Sequence, residues 1–597
     1  MKTKTRLPIH LPDDVPVAES LRQADPVGGE FTVTATLADI DDILDWQEGR
    51  CHFDYGYYRF IDNPALCRIQ EGLQAYYQTR HCLLYTSFKT AAMELLDYLL
   101  LTKPQMRVKV VCDLEENSLA ALEHSYPGLN TSISVVTPAG VPSLFPFSNA
   151  KDELLVINVQ QPTLFLETNG DFLQSVKAAR VPIIVASEKF PEGAGTLHPL
   201  VNYWVFPLHE QPRPIAGGVI LGKTDRQMTE LKELRKQRGP ILSSRDAAYF
   251  LGQIDAPQHD HRQQVIQRLC DLEQARHGFL FPSGMGAITT ILSLLRRSGK
   301  AQVIVVGLLY TDTYALLTYA RQRTGSVENI FLGVEELERL PEVINKQTAA
   351  IITETITNPL SDVPDLKTIT RIAKQYQVPV IVDNTLATPV NCRPLELGVD
   401  YVIHSTTKYF NGKNDHGGGV ILLNETQFAE KIRKYQEQWG NVLSSLESVV
   451  LWKNLHDFEE RMRLFQKNAI QIADFLENHP GVEKVYFPSL PSHRSYEVSQ
   501  KILTGPGSVM SFTLKRPGLE GLRSFYDAPL DHILKAPSLG SDQTILCPYT
   551  LLAHYHEPDD ALAELELSRY LIRLSVGCEA YIKPIMNSLD QALQLSA

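Results

Sequence analysis

Cysteine is sparse in this sequence, and none of its eight cysteines stands in a Cys-x-x-Cys pair. This spacing argues against zinc clusters and thioredoxin-type dithiols. Scattered cysteines in a long chain are typical of a reducing cytosol, so a cytoplasmic location is expected. Two alternating histidine pairs, His259 with His261 and His554 with His556, lack a nearby third ligand, and we predict no metal site.

Long apolar runs and an excess of basic charge are also missing. No stretch reaches membrane-spanning length, and the start, MKTKTRLPIHLPDDVPVA, has no apolar core, so neither a membrane segment nor a secretory signal is expected. Lys and Arg total 57 against 69 Asp and Glu, a net charge of −12, which argues against general nucleic-acid binding. The composition, 44% hydrophobic and 21% charged over 597 residues, is that of a globular protein with several domains.

A repeat of domain size runs through the sequence. GGVILG at 217–222 and GGVILL at 418–423 lie 201 positions apart, and two upstream matches keep offsets of 196 and 197. The upstream matches are HCLLYTS (81–87) with HGFLFPS (277–283), and VPIIV (181–185) with VPVIV (378–382). Matches in constant order indicate an ancient duplication. We predict an N-terminal extension over 1–50, a first copy over 51–253, a second copy over 254–451 and a C-terminal domain over 452–597.

Short β-branched runs alternate with helical patterns in both copies. In the second copy, VIVVG (303–307) is such a run, and DLKTITRIAKQYQ (365–377) has a helical pattern. This alternation predicts an α/β fold with a mostly parallel sheet. The last part combines an amphipathic helix over 457–479 with strands over 482–487 and 508–514, which predicts an α+β domain.

One motif is misleading. Gly217 to Thr224 reads GGVILGKT, which formally matches a phosphate-binding loop. Two prolines precede it, apolar residues lie inside it, and the matching segment of the second copy has no lysine. We therefore predict a strand here rather than a nucleotide site.

Chemically useful residues are concentrated between 381 and 422. Asp383 ends one predicted strand, and the run Ser405 to Lys408 follows the next, so both lie where ligands bind in parallel sheets. An aldehyde cofactor such as pyridoxal phosphate needs a lysine for its Schiff base, a carboxylate for its ring nitrogen, and hydroxyls with a helix N-terminus for its phosphate. The segment PSGMGAITTILSLL (282–295) supplies that helix.

The SGM, Asp-Asn-Thr, Ser-x-Thr-Lys and RLSVG motifs together resemble the cystathionine γ-synthase family of pyridoxal-phosphate enzymes, closely over 277–597 and weakly over 51–253. The resemblance implies a PLP-dependent transferase fold, aspartate aminotransferase-like (fold type I), whose large domain is present twice beside a small α+β C-terminal domain. It also implies pyridoxal 5'-phosphate as cofactor, amino-acid substrates and a homo-oligomer. The long N-terminal region and CPYTLLAHY (547–555) are similar to the fungal-type members.

The resemblance also assigns roles to residues by position. Lys408 corresponds to the Schiff-base lysine and general acid/base, and Asp383 to the partner of the ring nitrogen. Tyr310 is expected to stack on the ring and to help deprotonate the incoming amine. The implied phosphate ligands are Gly284, Met285, Ser405 and Thr407, and the other implied cofactor contacts are Asn358 and Thr385. The implied substrate-carboxylate ligands are Ser538 and Arg573.

The first copy has lost these groups. At the repeat offset, Asp383 falls on Ala186 and Tyr310 on Glu115. Lys408 falls on about Glu210 once a three-residue deletion is allowed. The glycine and methionine at 284–285 fall on Phe88 and Lys89. We therefore predict that the first copy is catalytically dead.

The first copy nevertheless keeps one family feature. In the family, a Tyr-x-Arg pair before Asn-Pro reaches across the dimer interface to the partner's phosphate. Tyr57 and Arg59, in YYRFIDNP, match it, whereas counting back from Pro257 puts Leu251 and Gln253 at the corresponding positions before the second copy. We therefore expect each chain to be a pseudo-dimer with one active site, and such chains to form dimers.

The expected reaction is γ-replacement on an O-acyl-homoserine with a thiol, cysteine, to give cystathionine. Alternatives are a cystathionine or methionine lyase of β or γ type, an O-acylhomoserine sulfhydrylase, and a non-catalytic scaffold on the same fold. Gln543 stands where the common family pattern has glutamate, which weakens any transfer of reaction specificity.

Overall fold

A computed structural model describes most of the chain. The described residues are 39–48, 50, 64–102, 107–112, 133–136, 153–158, 165–166, 168–179, 181–186, 201–208, 215–296, 300–324 and 329–596. Tyr57, Arg59, Glu115 and Glu210 lie outside them. Within these ranges, no helix has both the length and the hydropathy needed to cross a bilayer.

Seven strands from the first part of the chain form one sheet. They are β1 (His81–Tyr85), β2 (Arg107–Cys112), β3 (Ile133–Val136), β4 (Glu153–Asn158), β5 (Ile183–Ala186), β6 (Tyr203–Pro207) and β7 (Gly218–Gly222). Their order is β1-β7-β6-β5-β4-β2-β3. β7 is antiparallel to both neighbours, and all other neighbours are parallel. The GGVILGKT segment lies on β7, so the prediction of a strand is confirmed.

The next seven strands form a second sheet. They are β8 (His277–Phe281), β9 (Gln302–Val306), β10 (Ile330–Leu332), β11 (Thr348–Glu354), β12 (Val380–Asp383), β13 (Tyr401–Ser405) and β14 (Gly419–Leu423). The order, β8-β14-β13-β12-β11-β9-β10, matches the first sheet strand for strand. The pairing directions match as well, because only β14 is antiparallel to its neighbours. Both sheets have the predicted mostly parallel α/β architecture.

A third sheet contains five strands from the last part of the chain. They are β15 (Val482–Tyr486), β16 (Val509–Leu514), β17 (Leu534–Lys535), β18 (Ile545–Pro548) and β19 (Ile572–Ser575), in the order β15-β16-β19-β18-β17. β15, β16 and the long helix that precedes this sheet lie where the sequence predicted them, whereas β17, β18 and β19 were not predicted.

The described helices surround the three sheets. They are α1 (Ile40–Gln47), α2 (Pro64–Tyr77), α3 (Phe88–Thr102), α4 (Gly170–Ala178), α5 (Asp225–Arg238), α6 (Ser244–Phe250), α7 (Arg262–Glu273), α8 (Gly284–Arg296), α9 (Thr311–Thr324), α10 (Leu340–Val343), α11 (Leu366–Gln375), α12 (Thr388–Asn391), α13 (Thr426–Trp439), α14 (Ser445–Asn454), α15 (Phe458–Glu477), α16 (Tyr496–Ile502), α17 (Gly518–Tyr526), α18 (Tyr549–Ala553), α19 (Asp559–Glu564) and α20 (Lys583–Leu595). α5 packs on α8, and α13 packs on α3, so the two large sheets are joined through their helices.

Two glycines make matching contacts across the joint between the two large sheets. Gly239 ends α5 with φ +75°, and a Cβ there would collide with Ser283 Oγ, which donates a hydrogen bond to the Gly239 carbonyl at 2.8 Å. Gly440 ends α13 with φ +66°, and a Cβ there would collide with Ser87 Oγ. Ser87 and Ser283 each lie between a first strand and the following helix, so the same contact is made in both directions.

We expect Gly440→Ala to weaken this joint. The left-handed backbone alone costs roughly 1–2 kcal/mol for a residue with a side chain, and the added methyl group must also displace Ser87. Gly518→Ala is the control, since Gly518 has φ +88° with nothing within 4 Å of a Cβ. Thermal unfolding should show a larger fall in Tm for Gly440→Ala, and equal falls would contradict the close approach.

Candidate functional site

Lys408 lies in a tight turn at the carboxyl end of β13, and we call residues 405–408 the lysine turn. The Lys408 N–H donates to the Ser405 carbonyl at 3.3 Å, which folds the chain back immediately after the strand. The side chain is only 7% exposed. Its Nζ donates to Ser538 Oγ at 3.3 Å, and Ser538 Oγ donates to Asn414 Oδ1 at 2.9 Å. The amine is thus held in a buried polar site.

Two carboxylates end the neighbouring strands. Glu354 on β11 and Asp383 on β12 are register partners. Asp383 Oδ1 accepts hydrogen bonds from Thr385 N at 3.0 Å and from Thr385 Oγ1 at 2.6 Å. Thr385 Oγ1 in turn accepts from Ser405 N at 2.8 Å, which connects the carboxylate to the turn that carries Lys408.

Burial raises the pKa of both carboxyl groups. The neighbouring Asp383 charge raises the pKa of Glu354 further, whereas the Thr385 hydrogen bonds oppose the rise at Asp383. A cation bound beside Asp383 would offset the free-energy cost of burying the Asp383 carboxylate charge. The strand end is therefore suited to a protonated ring nitrogen.

Glu354 anchors two of the predicted residues. Its Oε1 accepts from Tyr310 N at 2.6 Å, and its Oε2 accepts from Asn358 N at 3.3 Å. The Tyr310 hydroxyl donates to Asp312 Oδ2 at 2.8 Å. Sequence reasoning missed Glu354, although this acid visibly ends the apolar run AAIITE (349–354).

Arg573 on β19 reaches the same edge from the third sheet. Its Nη1 donates to Asn358 Oδ1 at 3.3 Å, and its Nη2 donates to the carbonyls of Pro537 and Ser538 at 2.8 and 2.9 Å. The guanidinium carbon lies 5.0 Å from the centre of the Tyr549 ring, and Asn358 Nδ2 donates to the Tyr549 hydroxyl at 3.2 Å. Tyr549 is a second contact that the sequence analysis missed, although its segment, CPYTLLAHY, had been noticed.

The predicted phosphate ligands lie beside the lysine turn. α8 begins at Gly284, where a Cβ would stand 3.2 Å from the Ser405 Cβ. The N–H groups at the start of a helix attract anions. Thr407 Oγ1 accepts from Gly418 N at 3.2 Å, so this hydroxyl is oriented by the following strand. Met285 is buried in the first turn of the helix.

The corresponding edge of the first sheet differs. Ala186 ends β5 and pairs with Val205, as Asp383 ends β12 and pairs with Ile403. Asn158 likewise ends β4 where Glu354 ends β11. The first sheet therefore has no carboxylate at the position of Asp383, as the sequence predicted.

Every sequence-predicted site residue that the structure describes lies at or around one edge of the second sheet. These are Gly284, Met285, Tyr310, Asn358, Asp383, Thr385, Ser405, Thr407, Lys408, Ser538 and Arg573. The donor set at this edge fits pyridoxal phosphate. It contains a buried amine, a strand-end carboxylate, hydroxyls, and a glycine that brings a helix N-terminus against Ser405.

Comparison with known proteins identifies related enzymes. The family model described as Cys/Met metabolism PLP-dependent enzyme matches residues 236–594. Cystathionine β-lyase of Coxiella burnetii is 34% identical over 326 residues, which cover 54% of this chain and 83% of that protein. L-Methionine γ-lyase of Fusobacterium nucleatum is 35% identical over 363 residues, 60% of this chain and 89% of that protein.

A solved structure agrees with these matches. Cystathionine γ-synthase from Xanthomonas oryzae, in complex with aminoacrylate and cysteine, aligns with a TM-score of 0.53 and 28% identity over 57% of this chain and 86% of that one. The family match covers more than half of the chain and contains all the described site residues. The chain therefore belongs to the Cys/Met metabolism family of PLP-dependent enzymes, with pyridoxal 5'-phosphate as its cofactor.

Proposed function

We propose that the protein catalyses γ-replacement on an O-acyl-homoserine with cysteine to give cystathionine. The position of Ser538 carries the proposal. Its hydroxyl contacts the Lys408 amine, and its carbonyl contacts the Arg573 guanidinium. One residue thus brings a proton carrier and a carboxylate ligand close enough to act on the Cα and carboxylate of a single amino acid.

The side chains have distinct tasks in this reaction. Pyridoxal phosphate held in this site would supply an electron sink. Asp383 holds the ring nitrogen protonated, and Arg573 with Ser538 binds the substrate α-carboxylate. The Lys408 amine moves protons at Cα and Cβ, so that the acyl group can leave from Cγ and the thiol of cysteine can add there.

The remaining cofactor contacts surround this centre. Thr385 orients Asp383, and Asn358 would contact the cofactor hydroxyl. Tyr310 would stack on the ring and would help deprotonate the incoming amine. The phosphate ligands are Gly284, Met285, Ser405 and Thr407.

The first part of the chain serves as a partner rather than as a second enzyme. We infer that 51–253 is a degenerate copy of the large domain, that 254–451 is the active copy and that 452–597 is the C-terminal domain. The matching strand order of the two sheets, the reciprocal glycine contacts and Ala186 support this view. The chain would then be a fungal-type pseudo-dimer that binds one cofactor and assembles into dimers.

A lyase reaction is the second candidate. It is favoured by the matches to a cystathionine β-lyase, to a cystathionine γ-lyase and to methionine γ-lyases. In a lyase the substrate is cleaved to a thiol, a keto acid and ammonia, and no incoming thiol is incorporated. A sulfhydrylase would instead accept sulfide.

One assay separates these reactions. Purified protein loaded with cofactor is incubated with O-acyl-homoserine and cysteine, with O-acyl-homoserine and sulfide, or with cystathionine alone. We expect cystathionine to form in the first mixture faster than keto acid forms in any of them. Faster keto-acid release from cystathionine would identify a lyase. Absence of the cofactor's visible absorbance and of all turnover would indicate a scaffold.

We expect Arg573→Ala to weaken substrate binding while the cofactor stays bound. Loss of a charge-assisted hydrogen bond, worth about 1.5–3 kcal/mol, should raise KM roughly ten- to hundredfold. Arg569→Ala is the control, since Arg569 instead pairs with exposed Asp559. Steady-state kinetics and the cofactor's absorbance provide the measurement. Loss of cofactor with an unchanged KM would contradict the assignment.

A further inference from the structure

A buried chain of polar side chains leads from α6 to the lysine turn, and we call it the Arg245 relay. Arg245 Nη1 donates to Glu447 Oε1 at 3.0 Å, and Glu447 Oε2 lies 2.9 Å from His416 Nδ1. His416 Nε2 lies 2.9 Å from Thr406 Oγ1. All four side chains are buried, and the most exposed of them, Arg245, is 7% exposed.

The relay holds the segment that packs against the lysine turn. Arg245 Nη1 also donates to the Asp415 carbonyl at 3.0 Å, and Glu447 Oε2 also accepts from Gly417 N at 3.2 Å. Thr406 N donates to the Gly418 carbonyl at 3.0 Å, and Gly418 N donates to Thr407 Oγ1. Residues 415–418 therefore connect Arg245 to the two residues immediately before Lys408.

Glu447 is the charged centre of the relay. Burial alone would raise the pKa of Glu447, but the Arg245 charge and the His416 hydrogen bond outweigh it and lower the pKa to about 2. Glu447 is thus ionised at neutral pH and depends on Arg245 for compensation. Removing one partner of a buried ion pair leaves an uncompensated charge, which the surroundings accommodate by protonation or rearrangement.

Arg245 comes from the first unit of the molecule. It lies on α6, whose Ala247, Ala248 and Phe250 pack in one core with strands of the first sheet. His416 and Glu447 follow strands of the second sheet. The relay therefore crosses between the two sheet units.

The corresponding positions on the other side of this joint carry no such relay. At the repeat offset of 201, Glu447 corresponds to Asp246, Arg245 to Leu446 and His416 to Ile215. Asp246 is 4% exposed, and its Oδ1 has no hydrogen-bond partner among the described residues. Burial and the nearby Glu447 charge raise the pKa of Asp246 to about 7. Among the described residues, the ordered chain of polar contacts lies on the side that carries Lys408.

We propose that Arg245 is a positioning residue for the Lys408 site, acting through Glu447 and His416 to hold the Thr406–Lys408 turn in its cofactor-binding geometry. The inference rests on the proposed function, in which Lys408 binds the cofactor. The degenerate copy would then contribute a residue that positions the lysine turn of the second sheet.

The test compares Arg245→Leu, Arg245→Lys and Asp246→Asn with the wild-type protein. Arg245→Leu introduces the residue type found at position 446. We expect the dissociation constant for pyridoxal phosphate to rise roughly tenfold or more, which is typical when a group that orients the direct ligands of a site is removed. The visible circular dichroism of the bound cofactor should change. Arg245→Lys keeps the charge and should restore part of the affinity, whereas Asp246→Asn should bind as the wild type does.

Each outcome decides the proposal. Wild-type affinity in Arg245→Leu, or an equal loss in Asp246→Asn, would overturn it. If Arg245→Leu does not fold, His416→Val interrupts the relay and leaves the Arg245–Glu447 pair in place. Weaker cofactor binding by His416→Val then supports the relay, and unchanged binding refutes it. A wild-type protein that holds no cofactor would contradict the proposed function instead.

Discussion

Lys408→Ala should abolish turnover while the protein still folds. The substitution removes both the nitrogen that bonds the cofactor and the group that carries protons, and loss of a general acid/base alone costs roughly 10²–10⁴-fold in rate. Removing a buried amine leaves Ser538 with its bond to Asn414 Oδ1, so no hydroxyl becomes unsatisfied. We expect kcat to fall by at least roughly 10⁴-fold and Tm to change little.

Lys413→Ala provides the matched control for Lys408. Lys413 lies five positions further along the same loop and is exposed. Its replacement should leave kcat and the cofactor's visible absorbance unchanged. Normal turnover by Lys408→Ala would show that the site has been assigned to the wrong lysine, whatever the fold of the variant.

The edge of the second sheet could be predicted from the sequence because its signals are local. A short β-branched run ending in Asp383, and another followed by Ser405 to Lys408, determine where the strands stop. The observed strands end at Asp383 and Ser405. In parallel strands such ends lie side by side, so the motif positions were enough to bring an acid and a lysine together.

Contacts between distant segments could not be predicted in this way. Tyr549 is 191 residues from Asn358, and Arg245 is 202 residues from Glu447. Neither periodicity nor turn chemistry specifies which helix packs against which strand end. Glu354 was missed for a different reason, since an acid that ends a buried strand can be a solvated residue unless its backbone partners are known.

The sequence repeat and the two large sheets give complementary information about the first 451 residues. The offset of 201 was visible in the sequence, and the two sheets share one strand order. What the sequence could not indicate is how the two sheet units face each other. The reciprocal contacts of Gly239 with Ser283 and Gly440 with Ser87 indicate an arrangement related by an approximate two-fold axis. The role of Tyr57 and Arg59 stays a prediction.

Asp383→Asn should reduce turnover strongly while the site keeps its shape. The amide oxygen can still accept the Thr385 hydrogen bonds, so the strand end should remain in place. What is lost is the negative charge that keeps the cofactor's ring nitrogen protonated. Charges placed to stabilise a reacting group are worth about 2.7–4 kcal/mol, so we expect kcat to fall roughly 10²–10³-fold. Cofactor occupancy, measured by absorbance, should fall much less.

An exposed carboxylate at the opposite edge of the same sheet provides the control for this expectation. Asp400 lies just before β13, and its Oδ2 accepts from Val380 N at 2.8 Å. Partial desolvation raises the pKa of Asp400, and the hydrogen bond from Val380 N opposes the rise. Asp400→Asn therefore removes a carboxylate that also accepts a backbone hydrogen bond but lies far from the lysine turn, and we expect it to leave kcat unchanged. If both variants lost the same activity, the loss would reflect damage to the sheet. If Asp383→Asn kept wild-type kcat, Asp383 would not be the partner of the ring nitrogen.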